Sequence, residues 1–343
     1  MKPRYTVVIA CAEASPTLPS LLSLTRLPVD ERPVQVILAE GRNPSRQRNL
    51  GVETAKAPLV YFLDDDSDVP PGTPKHLASH FEDERTAASG GPNLASPDAT
   101  PFERTVSAVL ASYLGSFSVR TRYSSRGSVK EATEKDLILC NMMVSRKTFL
   151  AEKGFREDLF PNEENEFLNR LLHQGRQLMY DPRAHIYRPR RKDWAAWSYQ
   201  AFRYGRGRAR QMKIYPCLSD LIHLAPGFFL LYLLSLPVLA HRLVQQSAHP
   251  LLHVALLIPL LTFVLLDLAT GLSAASWHRR LNDLWKVPAL ILARHLAYGL
   301  GLWVGFFTPL PPDHSGPVKL YEAQLNPRGA VLRAMKLPVG RRP

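Results

Sequence analysis

The stretch from Leu59 to Asp68 is a short apolar run that ends in a cluster of acids, and it limits the possible folds more than any other. The run is rich in Val, Tyr and Phe, which suits a central parallel strand covered on both faces. Pro70-Pro71-Gly72 stops the strand just beyond the acids. The acids therefore lie at the carboxyl end of a strand, where open α/β sheets bind their ligands.

Carboxylates crowded at Asp64, Asp65 and Asp66 repel each other, and a divalent cation with oxygen ligands relieves that repulsion. A metal-bound diphosphate is the natural occupant of such a site. For one Asp-x-Asp pair considered alone, the competing interpretation is a polar loop after a strand, because the pattern is short.

Strands and helices alternate before this site. We predict strands from Tyr5 to Ala12 and from Val34 to Ala39, with a helix from Leu18 to Leu27 between them and a capped helix beginning near Asn43. This alternation favours a doubly wound α/β sheet whose third strand carries the acids. Further strands are expected from Thr86 to Gly91 and from Leu137 to Val144.

A second acidic cluster, Asn162-Glu163-Glu164-Asn165-Glu166, begins an amphipathic helix that is expected to end at His173, before Gly175. Asn162 suits a helix cap, and acids in the first turn complement the helix dipole. Capping therefore explains these acids about as well as catalysis does.

The formal net charge of +13 on 343 residues is compatible with nucleic acid, an anionic membrane or phosphate-bearing ligands. The three cysteines Cys11, Cys140 and Cys217 are widely spaced and imply neither a disulfide framework nor a zinc site. The apolar run near the N-terminus is too short for a signal peptide, so we expect this part of the chain in the cytosol.

The stretch from Arg183 to Lys213 holds ten Lys and Arg residues against one acid, among aromatic residues, and it comes directly before three apolar runs at 224–240, 251–272 and 287–310. A span needs about 20 residues, which these runs approach. Basic and aromatic residues together are typical of a helix on anionic lipid, and no nucleic-acid-binding motif accompanies them. We therefore predict anionic lipids as partners, no nucleic acid, and membrane helices in preference to buried helices of a soluble domain.

The loop charges fit a cytosolic N-terminus, with Arg242 outside and Arg279 and Arg280 inside. The tail does not fit, because three spans would place its basic residues outside. Either one run is interfacial or re-entrant, or the tail tolerates export; the sequence favours three spans. The predicted division is 1–182 catalytic, 183–217 interfacial, 218–310 membrane and 311–343 tail. The basic residues of the tail are Lys319, Arg328, Arg333, Lys336, Arg341 and Arg342.

Taken in order, the motifs resemble family 2 glycosyltransferases with the GT-A fold, a Rossmann-like, doubly wound mixed sheet, over about residues 5 to 210. The C-terminal part, including His295 to Gly301, looks like the membrane region of bacterial exopolysaccharide glycosyltransferases of the succinoglycan-pathway type. The matching motifs are Arg48-Asn49-x-Gly51, Asp64-Asp65-Asp66, Gly90-Gly91-Pro92, Asn162 to Phe167 and Gln200-Ala201-Phe202-Arg203-Tyr204-Gly205.

The resemblance assigns a role to each of these motifs. Asp64 and Asp66 would hold the donor ribose and a divalent metal, Mn2+ or Mg2+, that bridges the nucleotide diphosphate. Glu164, or its neighbour Glu163, would be the general base that deprotonates the acceptor. Arg48 and Asn49 would contact the donor, Glu13 and Glu40 are candidate nucleotide contacts, and Gln200, Arg203 and Tyr204 would contact the diphosphate or acceptor.

Anionic-lipid contact is the competing interpretation for Arg203 and the arginines that follow it. The sequence also departs from the family pattern after the second strand, where Ala39-Glu40-Gly41 replaces the usual acidic turn. Recognition of the nucleobase is therefore left open.

The resemblance implies an inverting glycosyltransferase of the bacterial inner membrane, with its catalytic domain in the cytoplasm. It would move sugar from a nucleotide-sugar donor to a hydroxyl of a lipid-linked or glycolipid acceptor. A polyprenyl-phosphate acceptor is the alternative, and it would need no general base. Processive synthesis is less favoured because the spans are few, and a membrane-anchored binding protein is the non-enzymatic alternative.

Overall fold

The computed structural model describes residues 4–159, 162–214, 216, 218–245, 249–309, 316–326 and 329–335. Cys217 and the tail residues Arg328, Lys336, Arg341 and Arg342 lie outside this set. The chain forms two compact units, of which the first comprises Met1–Asp98, Ser118–Pro189 and Pro311–Pro343. The second comprises Ala99–Phe117 and Arg190–Leu310. The units therefore alternate along the chain.

The strands are β1 (Tyr5–Cys11), β2 (Gln35–Glu40), β3 (Leu59–Asp64), β4 (Thr86–Gly90), β5 (Asn93–Ala95), β6 (Lys130–Glu131), β7 (Asn141–Ser145), β8 (Gln177–Tyr180), β9 (Ile186–Arg188), β10 (Lys319–Asn326) and β11 (Gly329–Met335). The helices are α1 (Pro19–Thr25), α2 (Pro44–Thr54), α3 (Thr73–Ser79), α4 (Pro101–Leu110), α5 (Tyr113–Ser116), α6 (Arg146–Ala151), α7 (Glu163–His173), α8 (Trp194–Ile214), α9 (Ala225–Gln245), α10 (Pro250–His278) and α11 (Asp283–Phe307). Short 3-10 helices cover His80–Glu82, Phe117–Tyr123 and Leu218–Leu224.

Among the described residues, nine strands form one mixed sheet in the order β11-β10-β2-β1-β3-β7-β4-β8-β6. β1 pairs in parallel with both β2 and β3, whereas β7 runs antiparallel to β3 and to β4. The prediction of a mixed α/β sheet whose third strand carries the acids is confirmed. β7 begins at Asn141, so the first half of the strand predicted from Leu137 is not extended.

The apolar run of β3 is continuous because both faces of the sheet are covered. Successive side chains of a strand point to opposite faces. Accordingly Val60 and Phe62 pack into one buried cluster, and Tyr61 and Leu63 into the other. The end of β3 is thereby held rigidly, and Asp64 emerges from a fixed position.

Four phenylalanines join β3 to the helix that carries the second acidic cluster. Phe62 of β3 lies 5.6 Å from Phe149 and 5.3 Å from Phe155, measured between ring centroids. Phe167 of α7 lies 5.0 Å from Phe149 and 5.2 Å from Phe155. Because Phe62 precedes Asp64 and Phe167 follows Glu164, this packing sets the separation of the two acidic clusters.

We expect Phe167→Ala to lower the free energy of unfolding by about 3–5 kcal/mol, since it removes a fully buried ring and leaves a cavity. Thermal or urea unfolding in detergent measures the effect. Leu150→Ala, on the exposed side of α6, is the control and should change stability far less. Equal losses for the two variants would contradict a packing role for Phe167.

The Gly90-Gly91-Pro92 motif has a structural explanation. A Cβ on Gly91 would overlap the backbone carbonyl oxygen of Ala184, so only glycine permits this close approach. Beyond it, β5 and β9 pair in parallel, with Leu94 opposite Tyr187 and Ala95 opposite Arg188. The motif thus fixes the strand that carries Arg188.

Residues 319–326 and 329–335, which the sequence analysis treated as part of a basic tail, form two strands of the same sheet. β10 pairs antiparallel with β2, where Leu320 lies opposite Ala39 and is buried. The Nζ of Lys319 lies 3.2 Å from Oε1 of Glu40. The C-terminal hairpin β10–β11 is therefore an integral part of the first unit.

The second unit is helical. Its helices at Leu221–Gln245, Leu251–His278 and Asp283–Phe307 are long and apolar enough to cross a membrane, as the three apolar runs predicted. α8 carries the basic and aromatic stretch, and its Trp197, Ala201, Gly205 and Ala209 are buried.

Candidate active site

Arg48 joins the two acidic clusters. Pro44 is the first residue of α2, and the Asn43 side chain caps the helix by accepting from the Arg46 N–H at 3.2 Å. Arg48 donates from Nη2 to Asp64 Oδ1 and from Nη1 to Glu163 Oε1, each at 3.0 Å. The acids at the end of β3 and at the start of α7 therefore contact the same guanidinium group.

Arg188 joins the two aspartates. Its Nη1 lies 2.8 Å from Asp64 Oδ2, and its Nε lies 2.6 Å from Asp66 Oδ1. Its Nη2 also donates to Asp66 Oδ2 at 3.1 Å. Although burial raises the pKa of Asp64, Arg188 and Arg48 outweigh burial and hold the pKa below its ordinary value. Asp64 is therefore ionised, and two guanidinium groups balance the charge of the aspartates.

Asp65 differs from its neighbours. Burial, together with the negative charges of Asp66 and Asp64, raises its pKa above the ordinary value. Its backbone carbonyl accepts from the Ser20 N–H at 3.2 Å, which connects the acidic turn to the start of α1. Asp65 therefore ionises less readily than an ordinary aspartate.

The two glutamates that the sequence left undistinguished lie in different environments. The Glu163 side chain is only 2% exposed and is held by Arg48, and its Oε2 accepts from the Asn162 N–H at 3.0 Å. The Glu164 side chain is 16% exposed, and its Oε1 lies 3.6 Å from Arg122 Nη1. Of the two glutamates, Glu164 is the one whose carboxylate is partly exposed and is not paired with Arg48, so a substrate hydroxyl could reach it without displacing Arg48.

The prediction that Asn162 caps α7 with its side chain is wrong. Asn162 has a φ of 126° and makes no side-chain capping hydrogen bond. Its backbone N–H is instead occupied by the Glu163 carboxylate. The acids at the start of α7 are therefore engaged with specific partners, and helix capping by Asn162 does not explain them.

Burial, and next the charge of Glu164, raises the pKa of Glu163 to about 7, against the opposing effect of Arg48. An acid with a raised folded-state pKa binds its proton more tightly when folded. Its contribution to stability is present at low pH and is lost as pH rises from 4.5 to about 7. We expect Glu163→Gln to remove this loss, so that the unfolding temperature of the variant falls less than that of wild type over this range. Parallel pH profiles of the two proteins would contradict this assignment.

Arg122 and Arg188 are site residues that the sequence analysis missed. Arg122 lies in the 3-10 helix Phe117–Tyr123, and it is anchored by Asn165 Oδ1 at 2.7 Å and by the backbone oxygen of Lys135 at 3.0 Å. Arg188 was grouped with the basic residues expected on lipid. Neither arginine belongs to a local sequence motif. The acids that they pair with are far away in the sequence, so the pairing appears only when the chain is folded.

Of the predicted donor contacts, Asn49 and Glu40 have hydrogen-bond partners within the fold. Asn49 donates from Nδ2 to the Phe155 carbonyl at 2.8 Å, and its Oδ1 accepts from the Phe155 N–H at 2.9 Å, so it orders the turn after α6. Glu40 accepts from the Ala14 N–H at 3.0 Å and pairs with Lys319. Glu13 is exposed in the loop after β1. Both glutamates thus lie at the carboxyl ends of neighbouring strands: Glu13 is in the loop after β1, and Glu40 is the last residue of β2.

Gln200, Arg203 and Tyr204 lie on α8, in the second unit. Gln200 Nε2 donates to Tyr204 Oη at 3.3 Å, one helical turn away. Arg203 and Tyr204 are exposed. Their contact with a diphosphate or an acceptor stays a prediction.

The donor chemistry at β3 fits a divalent cation only in part. Asp64 and Asp66 present carboxylate oxygens, the ligands that Mg2+ prefers. Within the described part of the chain, no group of three or more His, Cys, Asp or Glu side chains is arranged to hold a metal ion. Asp64 and Asp66 are already paired with arginines, and by themselves they do not form a complete metal site. They would fit a cation that takes its remaining ligands from a bound diphosphate.

A mixed α/β sheet with paired carboxylates at the end of a central strand and a second acid across the cleft defines a GT-A-like glycosyltransferase domain. Residues 20–150 match the family model described as Glycosyl transferase family 2. The match covers less than half of the chain, and over these residues the chain is similar to that family.

Two further comparisons bear on the chain. No curated protein matches it. A matching solved structure is the mannosyltransferase PcManGT from Pyrobaculum calidifontis in complex with GDP-Man and Mn2+, which is 16% identical with a TM-score of 0.49. The match covers 89% of this chain and 88% of that chain. The predicted resemblance to succinoglycan-pathway enzymes remains a prediction.

Proposed function

We propose that the protein is an inverting glycosyltransferase that moves a sugar from a nucleotide-sugar donor to a hydroxyl of a lipid-linked acceptor. The observation that carries this proposal is the Arg48 bridge, which brings Asp64 of β3 and Glu163 of α7 to one guanidinium at 3.0 Å each. Donor-binding acids and a base are thereby available to the same substrate.

The donor would bind against Asp64 and Asp66, with its diphosphate near Arg188. An arginine fork suits phosphate oxygens because it donates two hydrogen bonds in a fixed plane. Asp66 is the more exposed aspartate, with 38% of its side chain accessible, so it would hold a divalent cation, with Asp64 beside it. When bound, such a cation would supply positive charge to the leaving diphosphate.

Glu164 would act as the general base. As the acceptor hydroxyl oxygen forms its bond to the anomeric carbon, its proton passes to the Glu164 carboxylate. The bond from that carbon to the diphosphate oxygen breaks, and the leaving group takes the electron pair. Attack from the face opposite the diphosphate inverts the anomeric configuration. Arg188 and Arg48 would stabilise the charge that develops on the leaving oxygen.

The acceptor is proposed to be lipid-linked because a catalytic domain and candidate membrane helices occur in one chain. The exposed Arg203 and Tyr204 on α8 suit a phosphate-bearing acceptor or anionic lipid at the membrane surface. The corresponding cellular setting is the cytoplasmic face of a bacterial inner membrane, in exopolysaccharide or glycolipid biosynthesis.

Donor binding tests this proposal directly. Purified protein in detergent is mixed with a panel of nucleotide sugars, with and without Mn2+ or Mg2+, and its unfolding temperature is recorded. One nucleotide sugar should stabilise the wild type in proportion to its excess over the dissociation constant. We expect Asp66→Asn to abolish this stabilisation and the release of nucleoside diphosphate.

Asp68→Asn is the matched control, because Asp68 follows in the same turn but pairs with the exposed Arg26 at 2.6 Å. It should keep both donor binding and turnover. Stabilisation of Asp66→Asn equal to that of wild type would overturn the assignment of the donor site.

A further inference from the structure

We infer that the turn between α10 and α11 binds the phosphate group of an anionic phospholipid in a basic cavity. The cavity has a volume of about 370 Å³ and lies wholly within the second unit. Pro101 and Thr105 of α4 form one part of its wall, and residues 279–283 and 286 form the other. It shares no residue with the proposed donor site, so the inference does not rest on the proposed reaction.

Three cations and one acid line this cavity. The acid, Asp283, is 1% exposed, and its Oδ2 lies 2.8 Å from Nη2 of Arg280. Its Oδ1 accepts from the Thr105 hydroxyl at 3.0 Å. Among the described residues, Arg279 and Lys286 form no ion pair with a carboxylate. Because Arg280 balances Asp283, the cavity keeps two positive charges for an anionic ligand.

The backbone of the turn holds these side chains in fixed positions. Arg279 ends α10 with a φ of 52°, and its N–H donates to the Ala275 carbonyl. The Arg280 N–H donates to the same carbonyl at 3.1 Å, and the Asp283 N–H donates to the Arg280 carbonyl at 2.9 Å. α11 begins directly afterwards, at Asp283. A turn that is already ordered loses less conformational entropy when a ligand binds.

The end of α10 lies at the depth of lipid phosphates if this helix spans a membrane. Its 29 residues reach about 43 Å at 1.5 Å per residue, whereas the hydrocarbon core is about 30 Å thick. Leu251–His278 is a candidate span by length and composition. A crossing helix of this length extends beyond the core, so the turn that follows His278 reaches the headgroups.

Exposed apolar side chains accompany the cations at this turn. Trp277 is 66% exposed, Leu281 is 86% exposed and Trp285 is 58% exposed. The Nζ of Lys286 lies 5.3 Å from the centroid of the Trp285 ring. Trp is enriched at membrane interfaces because its ring is apolar and its N–H is polar. These side chains suit the glycerol and acyl groups of a lipid, which a soluble phosphate compound lacks.

The two unpaired cations suit phosphate in different ways. The planar guanidinium of Arg279 can donate two hydrogen bonds to phosphate oxygens, and the ammonium of Lys286 provides a compact charge. The competing interpretation is that these cations only bias the orientation of the helices in the membrane, which needs no cavity. Arg242 separates the two interpretations, because it is exposed near the end of α9, another candidate span, and does not line the cavity.

Lipid binding by the purified full-length chain tests the inference. The protein in a neutral detergent is titrated with solubilised phosphatidylglycerol or phosphatidylcholine, and bound lipid is counted by native mass spectrometry. We expect one phosphatidylglycerol per chain to bind more tightly than any other. Phosphatidylcholine should bind this site more weakly, because its choline group cancels the charge of its phosphate.

Arg279→Gln and Lys286→Gln should each weaken the binding of this phosphatidylglycerol about fivefold, the contribution of one cation near anionic lipid. Arg279→Lys keeps the charge and should retain most of the affinity. Because Arg279 has a positive φ, Lys286→Gln provides an independent test that leaves the end of α10 unchanged.

Arg242→Gln is the matched control, since it removes the same charge outside the cavity. It should bind phosphatidylglycerol as wild type does. Equal weakening by Arg242→Gln and by the two cavity variants would overturn the inference, because net charge would then explain the binding. Wild-type affinity in both Arg279→Gln and Lys286→Gln would overturn it as well.

A soluble phosphate ester distinguishes a lipid from other sources of phosphate. Glycerol 3-phosphate and inorganic phosphate are added to the wild type under the same conditions, and the unfolding temperature and the bound lipid are measured. We expect neither compound to stabilise the protein or to displace phosphatidylglycerol. If glycerol 3-phosphate bound as tightly as the lipid and Lys286→Gln weakened both, the ligand would be a soluble phosphate compound and the assignment to lipid would be wrong.

Discussion

Glu164→Gln is expected to lower kcat by about 10²- to 10⁴-fold, the range that positioned general bases contribute. Glutamine keeps the shape of the side chain and its neighbour Arg122, but it cannot take the proton of the acceptor hydroxyl. The KM for the donor should change little, because the donor site that we propose lies at Asp64 and Asp66. Sugar incorporation into a lipid acceptor, measured with the purified protein, gives both constants.

Glu166→Gln is the matched control for this variant. Glu166 lies in the same turn of α7 but pairs with Arg170 at 2.9 Å. Its variant should retain most of the turnover. If Glu164→Gln were silent while Asp66→Asn was inactive, the acceptor would be an anion that needs no base, as a polyprenyl phosphate would be. Loss of turnover in Glu163→Gln but not in Glu164→Gln would mean that Glu163, and not Glu164, is the general base.

Arg48→Met is expected to destabilise the first unit by about 3–5 kcal/mol, the cost typical of removing one partner from a buried ion pair. Arg48 is 6% exposed and satisfies both Asp64 and the buried Glu163. Without it, two carboxylates face each other with less compensating charge. Thermal unfolding in detergent at pH 8, where Glu163 ionises most fully, should show the largest effect.

A double variant separates charge from packing. Arg48→Met combined with Glu163→Gln should recover part of the lost stability, since it removes one of the uncompensated charges. Arg26→Met is the surface control. The side chains of Arg26 and Asp68 are both exposed to solvent, so their ion pair contributes about 0–1 kcal/mol to stability. If the double variant were less stable than Arg48→Met, charge compensation would not be the role of Arg48.

Local patterns predicted much of the fold. The alternation of apolar strands and helices indicated a mixed α/β sheet, and the position of Asp64 at the end of β3 followed from the apolar run before it. The three candidate membrane helices followed from length and composition. These features depend on residues that are close together in the sequence, so the sequence alone is enough to predict them.

The partners of the acids could not be predicted in this way. Arg188 belonged to a basic stretch that composition assigned to lipid, yet in the structure it joins Asp64 and Asp66. Glu163 and Glu164 are adjacent and identical in type, so only burial distinguishes them. Asn49 matched a donor-binding motif, but its amide orders the turn at Phe155.

By itself the sequence indicated where many of the strands, helices and apolar runs lie, because periodicity and propensity act over a few residues. Only the tertiary structure decided which charges meet across the cleft and that β10 returns to β2. Those contacts join residues far apart in the chain, and their energies depend on burial and distance, which no local pattern contains.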